Sequence, residues 1–322
     1  MPFLDICFAL GMSLTTLEYH QAKVASRRAG AAADAPAKIN LTLEVLGRRP
    51  DGYHDLRSLV IGVDLSDRVS CRITPQSGVV LHCNDPALCN DDNLAVQAAR
   101  TLAHRCAREP SVSIDLRKRI PVGAGLGGGS SDAATTLRLC NELWQTDLND
   151  RELAALGAEI GSDVPLFFSL PAAFMEGRGE LVSPVTPRWS GWVLLVYPGL
   201  SISTGEVYRA WRREDSERFS STALSALVEA STAAELSSLL SNHLEPAVFR
   251  VCPALYTLRD ELVSLGLTSI RVTGSGSAMY SLFDDQEPAV RAADEIAQRL
   301  THVTTTVAAA PVGQSPVFYE ES

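Results

Sequence analysis

The stretch PVGAGLGGGSSDAA, Pro121–Ala134, packs five glycines into a loop that runs straight into helix-forming residues. Glycine gives up more backbone freedom on folding than any other residue, so this density implies that something must approach the main chain closely. The loop contains the spacing GxGxxG at Gly123, Gly125 and Gly128. A dinucleotide site needs an apolar first strand before that spacing and, about 20 residues later, an acid ending a second strand. Here Arg117, Lys118 and Arg119 precede the loop and the residues after it read as helix, which excludes that site. A Walker loop is excluded too, because Gly128 is followed by Gly129 and Ser130 with no lysine. What remains is a glycine loop feeding a helix that opens Ser130-Ser131-Asp132, whose unpaired N–H groups and dipole favour an anion. The hydroxyls of Ser130 and Ser131 suit a phosphate or Mg²⁺. A tight strand-to-helix turn is the alternative, and it would need only one or two glycines.

Composition agrees with a small anionic ligand rather than a large one. The chain has 322 residues, is 46% hydrophobic and carries a formal charge of −10 spread along its length. That balance suits a soluble globular protein and excludes nucleic acid or an anionic membrane surface as the main partner. No apolar run is long enough to span a bilayer. Seven cysteines, Cys7 to Cys252, include no CxxC pair, so reduced thiols in a cytoplasmic protein are expected rather than disulfides or zinc.

Residues 1–33 are expected to form a disordered extension; Asp5, Glu18 and Asp34 count against a transit peptide. Order is expected from Ala35. In AKINLTLEV, Ile39, Leu41, Leu43 and Val45 alternate with Lys38, Asn40, Thr42 and Glu44, which predicts one half-buried strand with Lys38 and Asn40 on the same polar face. RPDGYH predicts a turn, SLVIGVDL and RVSCRI two strand segments, and DDNLAVQAARTLAHRC a helix capped by Asp. SVSIDLRKRI reads as a strand leading into the loop. SDAATTLRLCNELW reads as a helix with Ala133, Leu137, Cys140 and Trp144 on one face. A second helix, NDRELAALGAEIG, is closed by Gly161, and a further turn starts at Ser162 or Asp163. From residue 191 WVLLVYPG predicts a buried strand, followed by helices, two strands around the turn in SIRVTGSGSAMYSLF, the helix AVRAADEIAQRL and a last strand in VTTTVAAAPV. The fold class expected is α+β with two domains, 34–190 and 191–322.

PVGAGLGGGSSDAA resembles the phosphate loop of the GHMP kinases, the superfamily of galactokinase, homoserine kinase and mevalonate kinase. IGSDVPLFF and VTGSGSAMYSLF are similar to two further signatures, and the resemblance runs from about Ala35 to the last strand. APAKINLTLEVLGRRPDGYHDLRS is similar to the branch that phosphorylates a cytidine diphosphate-linked methylerythritol in the non-mevalonate isoprenoid pathway. The resemblance implies a GHMP fold with the active site in the cleft between domains, and a left-handed crossover, an exception to the usual handedness. It implies transfer of the γ-phosphate of ATP, with Mg²⁺, to the 2-hydroxyl of that small-molecule substrate. A homoserine- or mevalonate-type kinase and a catalytically silent nucleotide-binding protein are the alternatives.

Carried over residue by residue, the resemblance makes Asp163 the base and Lys38 its partner beside the reacting hydroxyl. From the residues alone Asp163 reads first as a helix cap and Lys38 as a solvated strand lysine. Pro121, Val122, Gly123, Ala124, Gly125, Leu126, Gly127, Gly128, Gly129, Ser130 and Ser131 would hold the nucleotide, with Asn93 near adenine or capping a helix. Asn40 and Thr204 join the substrate side. Tyr53, His54 and Tyr208 would contact cytosine, where surface or core roles are the alternatives. No carboxylate is assigned to Mg²⁺: Glu159 lies four residues before Asp163, but Gly161 interrupts the helix between them.

Overall fold

A computed structural model describes residues 30–216, 224–312 and 318–320. The expected extension thus lies mostly outside the described residues, but its last part does not. Strand β1, Gly30–Asn40, starts before Ala35, and Ala31, Ala32 and Ala33 are buried in it. These small side chains let the strand lie under a helix layer.

AKINLTLEV is not one strand. β1 ends at Asn40 and β2 spans Thr42–Arg48, with a bend at Leu41. The expected half-burial fails as well, since the polar face is as buried as the apolar one: Lys38 5%, Asn40 6%, Thr42 2% and Glu44 4% exposed. Each polar group survives burial because it is paired. Asn40 Nδ2 donates to Ser58 Oγ at 2.8 Å, Leu59 N donates to Thr42 Oγ1 at 3.0 Å, and Arg57 meets Glu44 at 2.6 Å.

The two segments SLVIGVDL and RVSCRI belong to a single strand, β3, His54–Ile73. It is the spine of a nine-stranded sheet. β1 runs antiparallel along it from Gly30↔Arg72 to Asn40↔Val60, with a register shift at Pro36/Ala37, and β2 pairs with its start. β4 (Gly78–Cys83) pairs in parallel with β5 (Ser111–Arg117), which joins β3; β6 (Ala172–Gly177) joins β3 and β7 (Leu181–Pro184). Helices α1 (Leu94–Arg105), α2 (Gly128–Trp144) and α3 (Asp150–Ile160) cover one face. Leu102, Leu137 and Cys140 pack there with Val69 and Ile114. Asn93, not Asp, caps α1, accepting from Ala95 N; Gly161 follows α3 as expected, but extended, at φ −170°.

The second sheet orders β10-β11-β8-β12: Arg271–Val272, Met279–Phe283, Trp192–Tyr197 and Thr305–Ala309. Around it lie α4 (Thr204–Ala210), α5 (Arg213–Ser216), α6 (Leu224–Glu229), α7 (Ala233–Leu239), α8 (Glu245–Val251), α9 (Pro253–Ser264) and α10 (Gln286–Arg299). Two short strands escape sequence reading. β9, Ser241–Asn242, pairs in parallel with β2, and β13, Phe318–Glu320, follows the expected last strand and pairs with β1. Segments encoded after residue 190 therefore complete the first sheet. A shared core seals the junction: Ile39, Leu41 and Leu59 pack with Leu195, Leu236 and Tyr280.

Tyr280, 1% exposed, donates its hydroxyl to the Asn40 carbonyl at 2.9 Å, at the point where β1 ends. Tyr280→Phe is expected to lower stability by about 1–3 kcal/mol, the cost of leaving a buried acceptor unmet. Equilibrium denaturation measures it; an unchanged midpoint would show that the hydroxyl does not support the break.

Candidate active site

A cavity of about 1100 Å³ opens between the two sheets, and residues from both line it. Of the sequence-expected site residues, all but Ser131 line this cavity.

The first group stands at the end of β1. Lys38 Nζ donates to Asn40 Oδ1 at 2.7 Å and lies 3.9 Å from Asp163 Oδ2. Strand alternation puts Lys38 and Asn40 on one side, as expected, but tertiary packing buries them. Burial pulls the Lys38 ammonium below its ordinary pKa, and the Asp163 charge opposes that pull. Asp163 precedes the 3-10 turn Val164–Phe168, yet its side chain makes no capping hydrogen bond. Its backbone is in the right-handed helical region, φ −86° and ψ −11°, rather than the extended conformation from which a cap folds back. The capping alternative is therefore corrected. The carboxylate is 40% exposed and faces Lys38.

The glycine loop is held at its middle from two sides. Lys38 N donates to Leu126 O, and Ala278 N donates to Ala124 O, each at 3.0 Å, so the loop lies between β1 and the turn of the second sheet. Below it sits a buried cluster that sequence reading missed. Asp67, fully buried in β3, accepts from Arg119 N at 2.5 Å and Ile120 N at 2.9 Å, just before the loop. Lys118 Nζ reaches both Asp67 and Asp132, the latter at 2.7 Å and near the start of α2. This clasp ties the strand before the loop to the helix after it. Burial works against the Lys118 charge, but the two carboxylates outweigh it and raise its pKa; burial raises Asp132 as well. Nothing in the spacing of Asp67, Lys118 and Asp132 marks them as partners, because they meet only through the β3–β5 pairing.

Two of the glycines are required by the fold itself. At Gly125, φ +78°, an added Cβ would lie 2.5 Å from Thr273 O; at Gly127, φ +72°, it would lie 2.9 Å from Lys38 Cγ and 3.1 Å from Phe167 Cζ. At these two positions packing alone is enough to demand glycine, whatever approaches the main chain. Gly129 is different: the nearest atom to an added Cβ is Leu94 Cδ1 at 3.7 Å, and the residue is exposed in the cavity wall. Ser131 is the second correction. It is fully buried on the inner side of α2, while Ser130 lines the cavity. Asp132 Oδ1 is buried with no partner among the described residues. With the Ser130 hydroxyl it forms a hard-oxygen donor set of the kind that suits Mg²⁺ together with phosphate oxygens.

At the other end, His54 packs between two aromatic rings. Tyr208 stacks on it at 5.1 Å and 28°, and Trp211 meets it edge-on at 5.4 Å and 80°. Burial lowers the His54 pKa and the nearby Arg48 charge adds to this, so the imidazole is neutral at neutral pH. Burial raises the Tyr208 pKa, with Asp163 adding to it, so the phenol keeps its proton. Tyr53 is 55% exposed, with the Arg178 guanidinium 5.1 Å above its ring. Trp211 and Arg178 were not expected as site residues; each is a single side chain in a loop or helix end, with no periodic signal. Thr204 Oγ1 lies 2.9 Å from Ser275 Oγ, linking α4 to the glycine turn. Asn93 both caps α1 and lines the cavity: its amide donates to Leu88 O at 3.0 Å.

Residues 93–170 match the GHMP kinases N terminal domain and residues 223–302 the GHMP kinases C terminal domain. The chain is 39% identical over 263 residues to a 4-diphosphocytidyl-2-C-methyl-D-erythritol kinase of Geobacter sp. (strain M21), covering 81% of this chain and 92% of that protein. It is 38% identical over 253 residues to the enzyme of that name in Shouchella clausii (strain KSM-K16), covering 78% and 85%. A crystal structure of a 4-(cytidine 5'-diphospho)-2C-methyl-D-erythritol kinase superposes with a TM-score of 0.73 at 34% identity, covering 88% of this chain and 100% of that one. A homoserine kinase from Cytophaga hutchinsonii superposes with a TM-score of 0.71 at 16% identity, a likeness of fold.

Gly129→Val is expected to leave the thermal midpoint near wild type and to weaken nucleotide binding at least tenfold by calorimetry, because its side chain has room only toward the cavity. Gly125→Ala is expected to do the reverse damage and destabilise the fold. Wild-type nucleotide affinity in a folded Gly129→Val protein would remove this loop from the phosphate site.

Proposed function

Since the chain belongs to the 4-diphosphocytidyl-2-C-methyl-D-erythritol kinase family of GHMP kinases, we propose that it phosphorylates the 2-hydroxyl of that cytidyl substrate with ATP, in the non-mevalonate isoprenoid pathway. The observation that carries the assignment of roles is the Lys38–Asp163 pair at 3.9 Å, in one cavity with the loop Pro121–Ser130.

Phosphoryl transfer asks a protein mainly for positioning and charge neutralisation. The substrate hydroxyl donates to the Asp163 carboxylate, and Lys38 holds the oxygen and the carboxylate in place. As the new bond forms between that oxygen and the γ-phosphorus, the bond from the γ-phosphorus to the bridging oxygen breaks and ADP leaves. The proton passes to Asp163. Backbone N–H groups at the start of α2 receive the phosphates. Ser130 and the free oxygen of Asp132 are the groups that would hold Mg²⁺ with the nucleotide, where the ion supplies charge neutralisation. His54, neutral, offers a donor and an acceptor to the cytosine edge, with Tyr53 and Tyr208 as its aromatic surroundings. Free thiols at Cys71, Cys83, Cys89, Cys106, Cys140 and Cys252 support a reducing, cytoplasmic setting. Among the described residues no helix is long and apolar enough to cross a membrane.

A coupled assay of ADP release tests the substrate, with homoserine and mevalonate as the competing acceptors. Asp163→Asn keeps the shape of the side chain and removes the proton acceptor. Turnover is expected to fall by about 10²–10⁴, with binding of both substrates retained. His54→Ala is expected to weaken the cytidyl substrate roughly tenfold or more, the value of a matched buried hydrogen bond, and to spare the KM for ATP. Near wild-type turnover in folded Asp163→Asn would remove Asp163 from the chemistry.

A further inference from the structure

The cytidyl substrate carries two phosphates between its base and its reacting end. If the base lies at Tyr53 and His54 and the 2-hydroxyl at Asp163, the diphosphate must cross the space between them. A polyanion crossing a protein of net charge −10 needs a local cation. The other cations in the cavity wall are already engaged, at least in part, or stand elsewhere. Lys38 bonds to Asn40, Lys118 is neutralised by two carboxylates, Arg209 Nε donates to the Gly205 carbonyl, and Arg48 is at the base end, paired in register with His54.

Arg178 stands in the gap itself. It lies in the turn between β6 and β7, and its guanidinium sits 5.1 Å above the Tyr53 ring. The next residue, Gly179, abuts the other end: an added Cβ there would lie 3.5 Å from Asp163 Oδ1 and 3.7 Å from Ser162 O. The turn is fixed by its own backbone, with Arg178 N donating to Glu180 Oε2 at 2.6 Å. The side chain makes no close ion pair, although its charge also acts on the Asp51 carboxylate. Its Nε is 3.8 Å from Glu180 Oε1, and neither terminal nitrogen makes a hydrogen bond to a described residue. It is 36% exposed and lines the cavity. A planar guanidinium offers paired donors that match phosphate oxygens, while its face rests on an aromatic ring.

We propose that Arg178 binds the diphosphate of the cytidyl substrate and sets the span between the base at Tyr53 and the hydroxyl at Asp163. This inference rests on the cytidyl reading of the site. Nothing in it touches the nucleotide side of the cavity.

The test compares cytidine with cytidine diphosphate as ligands, by calorimetry, in the wild-type chain, Arg178→Gln and Arg178→Lys. The wild type should bind the diphosphate more tightly than the nucleoside, by a margin that shrinks as salt is added. Arg178→Gln should reduce that margin about tenfold or more, the usual contribution of a hydrogen-bonded charge pair. Cytidine affinity, KM for ATP and the thermal midpoint should stay near wild type, while KM for the full substrate rises. Arg178→Lys should recover part of the margin, as a point charge without the paired donors. An unchanged margin in Arg178→Gln would overturn the proposal. So would an equal loss for cytidine and its diphosphate, which would mean that Arg178 only supports Tyr53. If the wild type neither binds the diphosphate nor turns over the full substrate, the cytidyl reading fails first and takes this inference with it. Wild-type turnover with an unchanged margin defeats the inference alone.

Discussion

A buried ammonium organises this protein. Lys38 is 5% exposed, and an isolated charge at that depth would be expelled or neutralised. It stays because Asn40 accepts from it at 2.7 Å and Asp163 stands 3.9 Å away. Its other atoms set the loop. The backbone N–H holds the Leu126 carbonyl, and the side-chain stem leaves no room for a Cβ at Gly127. One residue therefore places the strand, the glycine loop and the Asp163 carboxylate relative to each other.

The second sheet completes what the first begins. The turn between β10 and β11 meets both the glycine loop and the end of β1: Ala278 N reaches Ala124 O, and Asn40 N reaches Thr273 Oγ1, each at 3.0 Å. Asn242, in β9, donates to the carbonyls of Val272 and Gly274 at 2.9 and 2.8 Å. Strand β9 thus pairs with β2 while its side chain pins the turn. Backbone and side-chain groups of the two halves are thus bonded directly to each other beside the cavity.

Charge is distributed by the same logic. Lys118 and Lys38 both stand at the cavity wall, yet they do different work. Two carboxylates neutralise Lys118 and convert it into a tie between strand and helix, whereas Lys38 shares one carboxylate that remains open to the cavity. The difference follows from neighbours, not from residue type or exposure. An ammonium with two anions is a structural joint; one with a single exposed anion leaves that anion available for a proton.

The sequence by itself was enough for the α+β class, the main helices and strands, the loop before α2, and most of the cavity lining. These features depend on local rules: a period of two put Lys38 and Asn40 on one side, and glycine clustering beside a helix start marked the loop that lines the cavity. Where side chains are buried from outside their own strand, local rules fail. The polar face of β1 reads as solvated until Ser58, Arg57 and the second sheet cover it. Asp163 reads as a cap because its sequence neighbours suit capping, and the backbone conformation imposed by packing turns it to Lys38 instead. Ser131 and Ser130 are adjacent and chemically identical, and only the orientation of α2 buries one and presents the other. Asp67 and Asp132 join Lys118, and Arg178 joins Tyr53, across separations that no spacing rule spans. Local propensity determined which elements form; which charges meet was decided by the tertiary structure, because an ion pair depends on distance in space and not along the chain.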